Sequence, residues 1–294
     1  MQVIHFIINP NAGSGKEILL ADSLSKYFEN EPYEIVLKYT QYKKHAIELT
    51  EQSILAGAKI IVACGGDGTV HEVASCMVNT TIALGIIPLG SGNGLANNLK
   101  IPYTIAQAIA LIKNKNGIKI DVGRVNDNYF FSNMGIGFDA TVIGYYEKMK
   151  SRGLKSYLKA TMKSFQQYRY QEYSYILKGV QKSVIPFLFF ISNSNEMGNK
   201  VSITPKASLQ DGLLDVVIVP RYNKLKILLL GMLVLFKKHF LLKSVQFEQV
   251  SSLTLQNSND DGFALQIDGE YVRIEAKKLE VSILKGALTV LAIN

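Results

Sequence analysis

Residues 59–72 of this chain read KIIVACGGDGTVHE, a short apolar run that gives way to three glycines wrapped around Asp67. Glycine reaches backbone angles closed to other residues, so Gly65, Gly66 and Gly68 permit a tight turn whose bare amides can approach a polyphosphate. Thr69 falls at the start of the following helix, where free N–H groups favour anions, with Val70 and His71 in the same first turn. A carboxylate repels phosphate. Asp67 therefore implies action through Mg²⁺, or removal of a proton from an attacking hydroxyl, because a structural turn alone would not require it. Two more glycine turns share this setting. NPNAGSGK (9–16) lacks the first glycine and the final hydroxyl of the phosphate loop G-x-x-x-x-G-K-[ST], so a plain turn fits it equally well. Its amides and Ser14 could still meet phosphate oxygens. PLGSGNGLANNL (88–99) adds Ser91 and Asn93.

The elements that must position these turns follow from periodicity. VIHFIIN (3–9), EIVLKYT (34–40), KIIVACGG (59–66) and IALGIIPLG (82–90) read as strands. EILLADSLSKYF (17–28), HAIELTEQSILAG (45–57), TVHEVASCMVN (69–79) and AQAIALIKN (106–114) have helical spacing. This alternation predicts a mostly parallel α/β sheet over 1–122, and every glycine turn falls where a strand gives way to a helix, the edge at which such sheets hold ligands. From about residue 118 short strands follow one another, at 173–180, 184–193, 213–219, 250–256, 263–267, 271–276 and 279–284. They predict an antiparallel β-sandwich over 123–294, with helical inserts near 144–169 and 225–242. The last strand, 286–294, could pack on either domain.

Composition narrows the function classes. The chain has 294 residues, 48% hydrophobic and 19% charged, which argues for folded domains rather than long disorder. MQVIHFIINPNAG reads as a first strand rather than a secretory signal. LKILLLGMLVLFKKHFLL (225–242) is interrupted by Lys237 and Lys238 and falls short of the roughly 20 residues of a membrane span, so it reads as a buried or interfacial helix. Two cysteines, Cys64 and Cys76, form no disulfide framework and suggest a reducing, cytoplasmic compartment. The histidines are scattered, which argues against zinc. Ten of the 32 Lys and Arg and ten of the 24 Asp and Glu lie in 1–122, so the whole net charge of +8 belongs to the second part. A basic half beside a neutral half points to one polyanionic surface, nucleic acid or anionic lipid.

NPNAGSG, Thr40, GGDGTVHEV, PLGSGNGLA, GIGFDA, ITPKASLQDGLLDVVIV and IDGE occur in the order seen in the diacylglycerol-kinase-like lipid kinases, which the chain resembles over nearly its whole length. GGDGT is shared with NAD kinases and, loosely, phosphofructokinases, so the later motifs supply the specificity. The resemblance implies an NAD kinase/phosphofructokinase-like α/β domain, a β-sandwich domain, and a nucleotide site in the cleft between them. Carried over, Asn9, Pro10, Asn11, Ala12, Gly13, Thr40, Gly65 to His71 and Ser91 would hold ATP, with Asn93 beside them. Asp211 would hold Mg²⁺ with the carbonyls of Ser208 and Leu213. Asp268 and Glu270 would supply acid/base function. Read from the residues alone, Asp211-Gly212 and Asp268-Gly269 are hairpin turns.

The chain departs from the bacterial diacylglycerol kinases, which usually carry G-T-x-N-D-F-A-R where this sequence has GSGNGLAN. Gly94 replaces the aspartate and Asn97 the arginine. Sphingosine and ceramide kinases have a turn similar to this one, which opens a sphingoid-base reading and strengthens Asp67 as base. Asp139 in GIGFDA would then meet a substrate ammonium group, or serve as an ordinary turn or strand-end carboxylate. Near 154–165, Leu154, Leu158 and Met162 share one helical stripe and Lys155, Lys159 and Lys163 the next, either a solvated face or one for anionic headgroups. Helix 225–242 could line an acyl pocket or be core. Rivals are an NAD kinase, whose Asn-Glu pair occurs here only as Asn195-Glu196, far too late, and a basic binding module. No nucleic-acid motif supports the latter. The expectation is an ATP- and Mg²⁺-dependent enzyme phosphorylating a lipid primary hydroxyl, diacylglycerol-type or sphingoid, at the anionic inner face of a membrane. Oligomeric state stays open, a dimer included.

Overall fold

The computed structural model describes residues 2–13, 24, 26–29, 31–149, 153–195, 202–258 and 262–293. The chain divides into two compact units, Met1–Asp121 with Lys285–Asn294, and Val122–Leu284. The C-terminal residues return to the first unit.

In the first unit β1 (Gln2–Ile8), β2 (Tyr33–Tyr39), β3 (Ile60–Gly65) and β4 (Ala83–Pro88) form a parallel sheet in the order β2-β1-β3-β4. The long strand β16 (Lys278–Leu291) extends it through Thr289 and Val290, parallel to β4. Every residue of β3 is buried, which is why IIVACG reads as an unbroken apolar run rather than an alternating one. The helices are α1 (His45–Leu55), α2 (Asp67–Met77), the short α3 (Gly94–Asn98) and α4 (Ile105–Asn114). α2 buries Val70, Val73, Ala74 and Met77, the spacing of one helical face. Of the helix expected over 17–28 most lies outside the described residues; Leu24 and Phe28 sit in the core with Phe6 and Ile109.

The second unit contains an antiparallel six-stranded sheet in the order β12-β11-β10-β7-β14-β15. Its strands are β7 (Asn133–Gly137), β10 (Pro186–Ser192), β11 (Leu214–Pro220), β12 (Gln246–Val250), β14 (Phe263–Ile267) and β15 (Glu270–Ile274). β16, β13 (Ser252–Asn257), β8 (Tyr173–Leu177) and β9 (Val180–Val184) pair in that order as the opposing layer, and β5 (Gly117–Val125) pairs with β16 and β6 (Asn128–Phe130). Ile136, Phe189, Val216 and Leu265 meet Tyr175, Leu253, Leu255 and Val281 between the layers, so the unit is a sandwich with one apolar core.

Several expectations need correction. The strand expected over 173–180 is the start of a hairpin, β8–β9, turned by Lys178 and Gly179 at φ 50° and 77°. The strand expected over 250–256 is β13, and β12, which ends at Val250 just before it, was not expected. The insert near 144–169 is two helices, α5 (Phe138–Glu147) and α6 (Leu154–Gln167), and α5 starts inside GIGFDA because Gly137, at φ 111°, turns the chain out of β7. The insert over 225–242 is α7 (Lys224–Leu235) followed by a 3-10 turn at His239–Leu241. In α6 the buried stripe is Ser156, Ala160 and Ser164, while Leu158 and Met162 of the apolar stripe face solvent. Small residues let α6 lie close to its neighbour, which reverses the usual inside-out order. No helix among the described residues is long and apolar enough to cross a membrane.

Candidate active site

The parallel register decides which residues meet in the first unit. Ile8 lies opposite Tyr39 and Cys64, and Gly65 opposite Pro88. Thr40, Asn9, Gly65 and Pro88 therefore leave the sheet in one row at its carboxyl edge. Backbone bonds extend the ladder one step further: the amides of Asn9, Thr40 and Leu89 donate to the carbonyls of Cys64, Ile8 and Gly65, each at 2.9 Å. The Asn9 side-chain amide donates to Thr69 Oγ1 at 3.1 Å, and its carbonyl oxygen accepts the Asn11 amide at 2.9 Å, which shapes the turn through Pro10, Ala12 and Gly13. Thr69 and Val70 are buried, His71 half-buried and Ser91 exposed. Ser14 lies outside the described residues.

The second and third loops touch backbone to backbone. A Cβ on Gly90 would stand 2.6 Å from the Gly66 Cα and 2.8 Å from Asn93 Oδ1, so only glycine allows this approach. Asn93, buried and at φ 50°, accepts the Gly90 amide at 3.0 Å and donates to the Gly90 carbonyl at 2.7 Å, locking the turn. α2 begins at Asp67 with Gly66 at its N-cap and no side-chain cap, so its first amides open onto this junction. Gly90→Ala should push the two loops apart and lower affinity for a nucleoside triphosphate about tenfold. Nucleotide titration checks this, with hydrogen exchange in β1 and β3 expected to stay unchanged.

Asp67 has a job that the sequence reading denied to a structural carboxylate. Its Oδ2 accepts the Asn93 amide at 2.8 Å and its Oδ1 the Gly94 amide at 2.6 Å, so it caps α3 and ties the second loop to the third. The signal was unreadable in sequence because the partners lie 26 and 27 residues away. A structural turn does use this carboxylate.

In the second unit Ile267 pairs with Glu270, which leaves Asp268 and Gly269 as a two-residue hairpin loop with φ 47° and 84°. The hairpin reading of Asp268-Gly269 is correct as geometry. The Asp268 carboxylate also accepts three amides, Phe131 and Ser132 at 2.8 Å and Asn133 at 3.0 Å, gripping the start of β7. Gln266 completes the network: its Nε2 donates to Asn133 Oδ1 at 2.8 Å and its Oε1 accepts the Gly269 amide at 3.0 Å. Gln266 and Asn133 were missed in the sequence; a polar residue inside the apolar run FALQI was the available signal. Glu270 opens β15 beside this network.

Asp139 is the most unusual group. It stands in the first turn of α5, not in a loop or at a strand end, with both carboxylate oxygens buried over the cross-strand pair Gly135–Gln266. A Cβ on Gly135 would fall 1.7 Å from Asp139 Oδ2, so the glycine makes the room this carboxylate occupies. Neither oxygen has a hydrogen-bond partner among the described residues. Burial pushes its pKa up to about 7, and the Ala140 amide and Gln266 side chain, outside hydrogen-bond geometry, oppose this only in part.

Asp211 lies in the turn before β11, where its Oδ1 accepts the Leu213 amide at 3.0 Å, and the Ser208 hydroxyl accepts the Gln210 amide at 3.3 Å. Among the described residues no three His, Cys, Asp or Glu side chains gather as a metal group. The donor set that the family resemblance implies at Asp211, one carboxylate with the Ser208 and Leu213 carbonyls, would be all hard oxygens, which suits a cation that keeps most of its water. Glu196 of the Asn195-Glu196 pair lies outside the described residues.

Residues 3–125 match the family model described as the diacylglycerol kinase catalytic domain, and residues 132–292 the YegS C-terminal NAD kinase beta sandwich-like domain. The chain is 28% identical over 273 residues to a diacylglycerol kinase of Staphylococcus aureus (strain JH9), covering 90% of this chain and 85% of that one. The crystal structure of a diacylglycerol kinase from Bacillus anthracis str. Sterne superposes with a TM-score of 0.72 at 18% identity, over 99% of this chain and 97% of that one. A second Bacillus anthracis structure, of a candidate diacylglycerol kinase, reaches a TM-score of 0.81 at 21% identity, over 99% and 95% of the two chains. At these identities the two structures speak to the fold alone.

Proposed function

This chain belongs to the diacylglycerol-kinase-like lipid kinases, and from that premise we propose that it transfers the γ-phosphate of ATP to the primary hydroxyl of a diacylglycerol-type lipid. The observation that carries this reading is the row of three loops at one sheet edge, two of them in backbone contact, beside an uncapped helix N-terminus. Such a surface offers amides to phosphate oxygens, and the Asp67 carboxylate among them is engaged by the Asn93 and Gly94 amides. Asn9 to Gly13, Thr40, Gly65 to His71, Ser91 and Asn93 would hold the nucleotide there.

The lipid hydroxyl must lose a proton as its oxygen bonds the γ-phosphorus and the bond to the β-phosphate oxygen breaks, releasing ADP. Of the carboxylates considered, Asp67 and Asp268 each hold backbone amides in place, which supports positioning roles. We take Glu270, at the mouth of the β14–β15 hairpin and paired with Asp268 in the family motif IDGE, as the group that receives the proton. Asp211 with the carbonyls of Ser208 and Leu213 would hold Mg²⁺, which supplies positive charge to offset that of the phosphates. The basic second part supports work at an anionic surface, and the lipid-kinase family makes that surface a membrane, on the inner, cytoplasmic face where ATP is available, rather than nucleic acid.

A sphingoid base is the second reading, favoured by the buried, unpartnered Asp139, to which an ammonium group would be a fitting partner. Comparison of Glu270→Gln with Asp67→Asn tests the division of labour. Glu270→Gln should lower kcat about a hundredfold or more with the KM for ATP unchanged. Asp67→Asn should raise the KM for ATP as well, because Asn offers one acceptor oxygen to two amides. Unchanged turnover by Glu270→Gln removes it from the mechanism.

A further inference from the structure

α7 carries a face that no described residue of the second unit covers. Its inner side packs Ile227, Leu230 and Val234 on the outer surface of the six-stranded sheet, against Val217, Val219 and Phe187. On the opposite side stand Leu225, Leu228, Leu229, Met232 and Phe236, all exposed, Leu225 at 79% and Phe236 at 70%. At 3.6 residues per turn these five share an arc of about 100°. A helix face toward water ordinarily carries polar side chains, and an apolar stripe of this width ordinarily meets a partner. The chain beyond continues the surface. His239 is buried with its Nε2 2.6 Å from the Ile203 carbonyl, and this anchor leaves the flanking Phe240 and Leu241 turned outward, each 60% exposed.

The charges around the stripe identify what covers it. Arg221, Lys224, Lys237, Lys238 and Lys243 are exposed, Lys226 is half-buried, and no Asp or Glu occurs from Val216 to Phe247. The cations flank the apolar centre at both ends of α7 and none lies within Ile227–Phe236. A second copy of this chain docked about a two-fold axis would bring two such sets together with no acidic group of this segment to pair them. An anionic bilayer supplies both complements at once: acyl chains for the stripe and phosphates for its rim.

We propose that α7 and the following 3-10 turn lie in the interface of an anionic lipid bilayer, with the leucine-methionine-phenylalanine stripe among the acyl chains and the lysines among the headgroups. This deepens the lipid-kinase reading and rests on it for the presence of a membrane beside the site, while the stripe itself is independent of the chemistry. It takes up the interfacial alternative of the sequence reading: Ile227, Leu230 and Val234 pack on the sheet, while the apolar side chains of the opposite face are exposed.

The test is flotation of the full chain with phosphatidylcholine vesicles, with and without phosphatidylglycerol. Wild type should float with the anionic vesicles, and release as salt rises. The double variant Leu228→Glu/Phe236→Glu should lose at least about tenfold in binding. It should phosphorylate a water-soluble short-chain diacylglycerol at the wild-type rate and show the same thermal shift with ATP. Flotation undiminished in the variant overturns the proposal, as does binding indifferent to phosphatidylglycerol. A dimer in sedimentation that the variant dissolves assigns the face to a second copy instead and overturns it too. Absence of turnover on the short-chain lipid by wild type would count against the kinase reading and leave the vesicle result to be judged by itself.

Discussion

Asp268→Ala is expected to destabilise the second unit by about 3–5 kcal/mol, lowering its calorimetric transition well below that of the wild type. Three amides of Phe131, Ser132 and Asn133 lose a charged acceptor together, and alanine must also occupy a left-handed backbone at φ 47°. Asp268→Asn separates the two causes. Asparagine tolerates that backbone and keeps one acceptor oxygen, so it should cost only about 1–2 kcal/mol. An alanine variant as stable as wild type would mean that the grip on β7 contributes little.

Asp139→Asn should act in the opposite direction on stability while lowering activity. The native carboxyl, raised to about 7, holds a proton between roughly pH 4 and 7 that the unfolded chain has already released. Stability therefore falls as pH rises through that window and levels off above it, where the buried charge costs on the order of 3–4 kcal/mol. The asparagine variant should lose this slope and gain stability at pH 8, read from urea unfolding at several pH values. A group kept at such expense, with Gly135 making space for it, fits a substrate contact better than a packing role. Lipid phosphorylation should accordingly fall in the variant that is more stable. Parallel pH profiles for the two proteins would contradict the account of Asp139.

Most of the first unit was legible because its parallel strands are short apolar runs closed by glycine turns, and each turn lay where the observed sheet ends. The local pattern could say where the glycine loops leave the sheet, and it did for residues 9–13, 65–69 and 90–94. It could not say what holds them together, since the Asp67 bonds to Asn93 and Gly94 and the Gly66–Gly90 approach join segments far apart in sequence. The start of α5 was not legible because GIGFDA is apolar enough to continue a strand, and only Gly137, at positive φ, ends it. α6 was read inside out because periodicity finds a stripe but not the side on which the neighbour lies. In α7 nearly every position is apolar, so no pattern distinguished the packed side from the outward one.

Mixed-micelle phosphorylation with Mg²⁺ and γ-labelled ATP, offering diacylglycerol, sphinganine, ceramide and monoacylglycerol separately, tests the central claim most directly. Label in phosphatidic acid is the predicted result and would show that GSGNGLA serves diacylglycerol chemistry. Label in sphinganine phosphate instead would keep the kinase, move the substrate to the sphingoid reading and make Asp139 its ammonium partner. No labelled lipid from any of the four, with ATP bound, would contradict the account.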